Sequence, residues 1–253
     1  MATPHLIAHR GHVATCPENT RSALVSALDA GALFVEVDVQ LSADREPFLF
    51  HDRSLNRVCN RSGALGDLNA AEVRRLRASE PGRFGARFQA EPVAHLSDLV
   101  ALLLRRRDAF AFVELKRNSL DVHGARAVLK SVLPLLEPVR SRCALISFNL
   151  AALLEARHLC DLPLGAVFDT FAETHSEVLA ALRPEYVFTD VFGLPFSGPL
   201  TVPGAKVAVY EVADPALARV LAARGVRFIE TFDYAEMAAA LGPANMALGE
   251  APH

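Results

Sequence analysis

Short runs rich in β-branched and aromatic residues recur along the chain, and between them lie stretches whose apolar positions fall three and four apart. The runs predict strands over residues 5–10, 33–41, 109–116, 143–148, 163–168, 185–190, 206–212 and 227–231. The intervening stretches predict helices over 19–30, 121–136, 150–160, 173–182 and 214–224, with Gly31 and Gly225 placed to end two of them in the left-handed conformation. Strands alternating with helices make a parallel sheet, and eight such units are the number that closes a TIM (β/α)8 barrel, an α/β fold. One interval breaks the rhythm. After the second strand the chain carries a small insertion, at about residues 44–94, with an extra strand (Pro47 to Phe50), a short helix (Asn69 to Arg77) and a Gly/Arg-rich loop. Because such barrels carry their sites at the carboxyl ends of the strands, this segment is expected to overhang the site. No linker interrupts the pattern, so residues 1–253 are read as a single barrel domain that includes the inserted subregion.

Composition narrows the function. With 51% apolar and 22% charged residues the 253-residue chain is that of a globular protein, and no window holds 18 uninterrupted apolar residues. Neither a span nor an amphipathic basic helix is visible, so no stable membrane association is expected. The 26 basic against 29 acidic side chains, net −3, argue against a nucleic-acid partner held by bulk charge. An anionic ligand then needs a local positive site. Cys16, Cys59, Cys143 and Cys160 form no CxxC pair, and the N-terminus shows no basic segment followed by an apolar run. Reduced thiols and a cytoplasmic location are the expectation.

Chemistry collects at the strand ends. In Phe-Val-Glu-Val-Asp-Val, Glu36 and Asp38 share one side of the second strand while Val35, Val37 and Val39 pack the other. The third barrel strand, Phe-Ala-Phe-Val-Glu-Leu-Lys, repeats the device with Glu114 and Lys116. Two like charges about 4 Å apart repel by roughly 4 kcal/mol at an effective dielectric near 20, so converging carboxylates call for a cation or for raised pKa values. A hard divalent ion, Mg2+ or Ca2+, suits oxygen ligands better than zinc does. The alternative is an ion-pair network of Glu114 with Lys116 or Arg10. His9-Arg10-Gly11 ends the first strand, and His51-Asp52 follows the inserted one, so two histidines flank the acids. Imidazoles titrating near neutrality serve as general base and general acid. The histidines at 5, 12, 95, 123, 158, 175 and 253 lie outside this pattern.

Taken in order, His9-Arg10-Gly11, Pro17-Glu18-Asn19-Thr20, Glu36-x-Asp38, His51-Asp52, Glu114-x-Lys116 and Ser147-Phe148 resemble the glycerophosphodiester phosphodiesterase family from residue 6 to about 150. The resemblance implies a metal-dependent TIM barrel that hydrolyses small-molecule glycerophosphodiesters to glycerol 3-phosphate and an alcohol. It implies Glu36, Asp38 and Glu114 as metal ligands, His9 and His51 as acid/base pair, and Arg10 and Lys116 as phosphate contacts. The inserted segment matches the family's extra region. The carboxyl-terminal half departs from the pattern. Tyr210-Glu211-Val212-Ala213 stands where the family shows Trp-Thr-Val-Asn, and Ile229-Glu230-Thr231-Phe232-Asp233 places Phe where the family's last strand ends in Thr-Asp. A lipid phosphodiesterase of the phospholipase D type and a non-catalytic phosphate-binding barrel fit the same residues, and turnover on a lipid diester or a deacylated one separates the three.

Overall fold

The computed structural model describes residues 3–242. His253 lies outside them. Nine strands are present among the described residues: β1 (His5–Ala8), β2 (Phe34–Leu41), β3 (Pro47–Leu49), β4 (Phe110–Leu115), β5 (Cys143–Ser147), β6 (Leu164–Phe168), β7 (Tyr186–Asp190), β8 (Lys206–Tyr210) and β9 (Phe228–Thr231). All except β3 run parallel, each beside the next, and β1 pairs with both β2 and β9, which closes an eight-stranded barrel. The ninth, β3, lies antiparallel on β2, with Val39 opposite Leu49 and Leu41 opposite Pro47.

Period-2 alternation separates two cores. Val35, Val37 and Val39 of β2 face outward into a continuous apolar layer with Leu24, Leu28, Leu99 and Leu103 of the surrounding helices. The inward positions nearer the amino ends are filled by Ile7, Phe112, Tyr186, Phe188 and Phe228, with Phe34 packed against them. Phe112 meets Tyr186 and Phe188 edge-on at 5.0 and 5.1 Å between ring centroids, the arrangement favoured by the aromatic quadrupole. These rings fill the lower half of the barrel, and the carboxylates and His9 lie above them at its carboxyl end.

The outer layer follows the predicted stretches with local corrections. Helix α1 (Arg21–Asp29) starts where Thr20 accepts a hydrogen bond from the Ala23 amide, and Gly31 follows it at φ +94°. The stretch 121–136 is divided by Gly124, at φ +78°, into two helices that flank it. The inserted segment supplies α2 (Asn56–Cys59), α3 (Ala70–Val73) and α4 (Pro81–Phe84), and the expected helix over 69–77 is thus a single turn. Helix α5 (Leu96–Arg105) leads back to the barrel and was not among the predicted stretches. After β4 come α6 (Arg117–His123) and α7 (Ala125–Leu136), the pair divided by Gly124. Next is α8 (Leu150–Leu159), capped by Asn149. The stretch 173–182 resolves into a 3-10 turn (Phe171–His175) and α9 (Glu177–Leu182), because Ser176 caps a new helix there. Two more, α10 (Pro215–Ala223) and the unpredicted α11 (Tyr234–Leu241), complete the ring. Among the described residues no helix is long and apolar enough to cross a membrane.

The insertion has a core of its own, with Phe48, Phe50, Leu55, Val58, Leu65 and Val73 buried together. It is tied to the loop between β1 and α1. Glu80 accepts from the Glu18 amide, Arg83 donates to the Val13 carbonyl, and Glu91 accepts from the Ser22 hydroxyl.

Candidate active site

The acids lie where the alternation placed them. Glu36 and Asp38 point inward from β2, and parallel register sets Glu114 of β4 beside Asp38. All three are buried, and one carboxylate oxygen from each lies within 4.8 Å of the others. Asp38 accepts from the Asn19 amide nitrogen at 2.7 Å and stands at ion-pair distance from two cations, Arg10 Nε at 3.0 Å and Lys116 Nζ at 3.1 Å. Lys116 also reaches Glu114, at 2.8 Å. Burial works against an ionised Asp38, yet Arg10 and Lys116 hold its carboxyl well below the ordinary range. Glu36 has no such escort. Its Oε2 accepts from the Arg10 amide, its Oε1 has no partner, and burial together with Asp38, Glu230 and Glu114 drives its pKa well up. Burial raises Glu114 too, against the pull of Lys116.

Two backbone devices deliver the histidines. After β1 the chain turns through Arg10 at φ +55° and Gly11 at φ +86°. A Cβ on Gly11 would stand 2.7 Å from the Ala23 carbonyl carbon, so only glycine permits this approach of loop to helix α1. The turn leaves His9 stacked on Phe232 at 4.7 Å and 9°, with Nε2 3.6 Å from Glu36 and Nδ1 3.1 Å from Glu211. Burial and the Arg10 guanidinium push the imidazole pKa below its ordinary value, against Glu211. The second device is Gln40 of β2, whose amide nitrogen donates to the carbonyls of Phe50, His51 and Asp52 at 2.8–2.9 Å. It pins the insertion where His51 enters the mouth. Asp52 accepts from His51 Nδ1 at 2.9 Å and is gripped in two-pronged fashion by Arg57, which grips Glu18 likewise at 2.7 and 2.8 Å.

His9, Arg10, Glu36, His51, Glu114 and Lys116 therefore line one cavity of ≈ 110 Å³, and Asp38 lies behind Arg10 and Lys116. A wider cleft of ≈ 490 Å³ shares His51, Glu114, Lys116 and Phe148 with it. A larger cleft of ≈ 700 Å³ is at the opposite end of the barrel, bordered by Phe110 and Pro163, and holds none of these groups.

A family model, that of the glycerophosphoryl diester phosphodiesterase family, matches residues 9–233, from the first of these histidines to the residue after Phe232. The chain belongs to that family. Mouse glycerophosphodiester phosphodiesterase 1 is 35% identical over 130 residues, 50% of this chain and 37% of that protein. The glycerophosphodiester phosphodiesterase of Caldanaerobacter subterraneus is 33% identical over 111 residues, 44% of each chain. Less than half the length of either relative is matched. Among solved structures, an Oleispira antarctica phosphodiesterase in complex with the product sn-glycerol-3-phosphate superimposes with a TM-score of 0.83 at 24% identity, covering 94% of this chain and 97% of that one. Glycerophosphodiester phosphodiesterase of Agrobacterium tumefaciens gives 0.76 at 25% identity, covering 93% and 99%.

Within this glycerophosphoryl diester phosphodiesterase barrel, several residues in and behind the cavity carry a place that the sequence reading does not assign. Glu211 approaches His9 from the loop just after β8, and Asp52 and Arg57 form the chain of charges behind His51. Glu230 of β9, opposite Ile7 in the β1 register, is buried with its Oε1 unpartnered, and burial and Glu114 raise its pKa well above the ordinary value. Its signal was present: a lone acid in Arg-Phe-Ile-Glu-Thr is the same anomaly that marked Glu36 and Glu114.

Proposed function

We propose that the chain is a divalent-metal-dependent phosphodiesterase that cleaves small glycerophosphodiesters to glycerol 3-phosphate and an alcohol. The observation that carries this reading is the convergence of His9 and His51 on one cavity floored by Glu36 and Glu114. The solved relative that holds sn-glycerol-3-phosphate as its product supports the substrate class.

The residues fit a cation. Glu36, Asp38 and Glu114 offer only oxygen, they converge, and the orphaned Oε1 of Glu36 lacks a donor. This set suits Mg2+ or Ca2+. When bound, such an ion withdraws charge from the phosphoryl oxygens. Arg10 and Lys116, kept protonated by the same carboxylates, add positive charge at the cavity wall. His9, with Glu211 beside its Nδ1, takes the proton of the attacking hydroxyl: water gives glycerol 3-phosphate directly, whereas the substrate's own glycerol hydroxyl gives a cyclic phosphate that water then opens. His51, oriented by Asp52 and Arg57, gives a proton to the departing alcohol oxygen as its bond to phosphorus breaks. We place the protein in the cytoplasm, a compartment that keeps its four unpaired thiols reduced.

A second reading, a lipid diester as substrate, is favoured by one feature. Phe192 and Phe196 are 95% and 103% exposed on the loop that follows β7, at the carboxyl end of the barrel. Phosphorus NMR of glycerophosphocholine and lysophosphatidylcholine, with and without chelator, tests both. Glycerol 3-phosphate from the first, abolished by EDTA and restored by Mg2+ or Ca2+, is the expected result, and full activity in metal-free protein would sink the proposal. Turnover of the lysolipid alone, reduced by Phe192→Ser with Phe196→Ser, would establish the second reading.

A further inference from the structure

The cavity holds more carboxylate than one cation position explains. Besides Glu36, Asp38 and Glu114, a second group converges. One ring nitrogen of His9 and one oxygen each of Glu36 and Glu230 lie within 4.8 Å of one another, all three residues buried. Glu36 belongs to both groups. Glu36 Oε1 and Glu230 Oε1 are wholly enclosed yet lack any donor, in residues 1% and 3% exposed that line the same cavity. Leaving a buried acceptor unpaired costs about 1–3 kcal/mol, and more for a charged group. Arg10 and Lys116 do not relieve it: they stand at ion-pair distance from Asp38, Glu18 and Glu114 instead, and Arg10 Nε itself makes no hydrogen bond.

His9 carries an independent sign. Its Nε2 faces Glu36 at 3.6 Å while its Nδ1 faces Glu211 at 3.1 Å, and stacking on Phe232 fixes the ring in that orientation. A histidine that binds metal through one nitrogen characteristically presents the other to a carboxylate, which sets the tautomer and orients the ring. The carboxylate nearest Nδ1 here is that of Glu211, at ion-pair distance though not aligned as a hydrogen bond.

From this geometry we propose a second divalent-cation position formed by His9, Glu36 and Glu230, sharing the Glu36 carboxylate with the first. One imidazole and two carboxylates suit a transition ion such as Mn2+, whereas the all-oxygen first position suits Mg2+ or Ca2+. The inference rests on the reading of Glu36, Asp38 and Glu114 as the first position. It also carries a consequence for turnover. A cation bound to the Nε2 of His9 occupies the lone pair that the proposed mechanism uses as base, so Mn2+ activates at the first position and inhibits at the second.

Mn2+ titration of the full chain, read by electron paramagnetic resonance and by metal content after dialysis, tests this. The wild type should bind two Mn2+ per chain, and at saturation the six-line spectrum of an isolated ion should give way to a spin-coupled one, since ions bridged by one carboxylate are about 3.5–4 Å apart in two-metal sites. Glu230→Gln and, separately, His9→Asn should each bind one and keep the six-line spectrum. Circular dichroism identifies a variant that fails to fold, and the other then decides. One Mn2+ per chain in the wild type, two without coupling, or a second ion retained in a folded variant would overturn the proposal. The first of these outcomes leaves the proposed function standing, whereas a wild type that binds no Mn2+ removes the first position as well.

Discussion

His51 is the side chain whose role the geometry exposes most directly to test. It is the one member of the cavity delivered by the insertion, and Asp52 and Arg57 stand behind its Nδ1. As general acid it matters only while the leaving alcohol needs a proton. His51→Ala should lower kcat on glycerophosphocholine by roughly 10²–10⁴, the usual range for one proton-transfer catalyst. On bis(p-nitrophenyl) phosphate, whose leaving group departs as the anion, most of that loss should vanish. His9→Ala should lose comparably on both substrates. Equal losses for both variants on both substrates would reassign the histidines to holding the phosphate. The thiols make a contrasting case. Burial pushes Cys143 and Cys59 up to about 12, so neither presents thiolate at neutral pH. Iodoacetamide at pH 7.5 should label both only after denaturation, and rapid labelling of the native chain would contradict their packing.

The turn after β1 and the insertion after β2 are the two segments that build the mouth, and they fail differently. Gly11→Ala combines a left-handed φ with a Cβ driven against the Ala23 backbone. A non-glycine residue in that region costs of order 1–3 kcal/mol. The variant should melt lower and lose activity as well, because the same turn aims His9 and Arg10. An unchanged Tm would show that the loop relaxes freely. The insertion's core is separate from the barrel's, so a chain lacking residues 60–92 should still unfold cooperatively by circular dichroism. Its kcat should fall by about 10², the cost of misplacing a catalytic group by an ångström, because Glu80 and Arg83 no longer anchor the segment that carries His51. Loss of the cooperative transition would place the insertion in the barrel's folding unit.

The whole fold bears the electrostatic load of its site, and pH reveals it. Glu36, Glu114 and Glu230 have pKa values raised above their unfolded ones, so at these three groups the native state binds more protons than the unfolded state above about pH 4.3. Their contribution to stability therefore falls as pH rises from that point through the raised pKa values. Asp38, held low by Arg10 and Lys116, acts in the opposite sense below about pH 3.9, where acid removes its contribution. These carboxylates favour the acid side in the metal-free protein, while His5, His9, His95 and His123, whose pKa values are lowered, add stability as pH rises to about 6.5, so the two sets oppose each other below neutrality. Mg2+ or Ca2+ should raise Tm most at the alkaline end, where it replaces the missing protons. Above about pH 6.5 only the raised carboxylates act among these groups, so a metal-free Tm that climbs steadily from about pH 7 to pH 9 would contradict this balance.

How much of this was legible in the chain depends on distance along it. The barrel was visible because each βα unit writes its own local pattern. Val35, Val37 and Val39 against Glu36 and Asp38 is a period-2 statement needing no partner, and Glu114 with Lys116 repeats it. Local breaks were less visible. Gly124 and Ser176 divide stretches whose apolar spacing runs on undisturbed, because a cap changes hydrogen bonding without changing hydrophobicity. The joining of distant groups was decided by tertiary structure alone. Glu230 stands near Glu36 because β9 pairs with β1, which closes the ring. His51 reaches the cavity because Gln40 pins the insertion back over the strand it left. Periodicity tells which face of an element is polar. Only closure and packing decide which polar faces meet, since their meeting depends on backbone paths many residues long that no local pattern records.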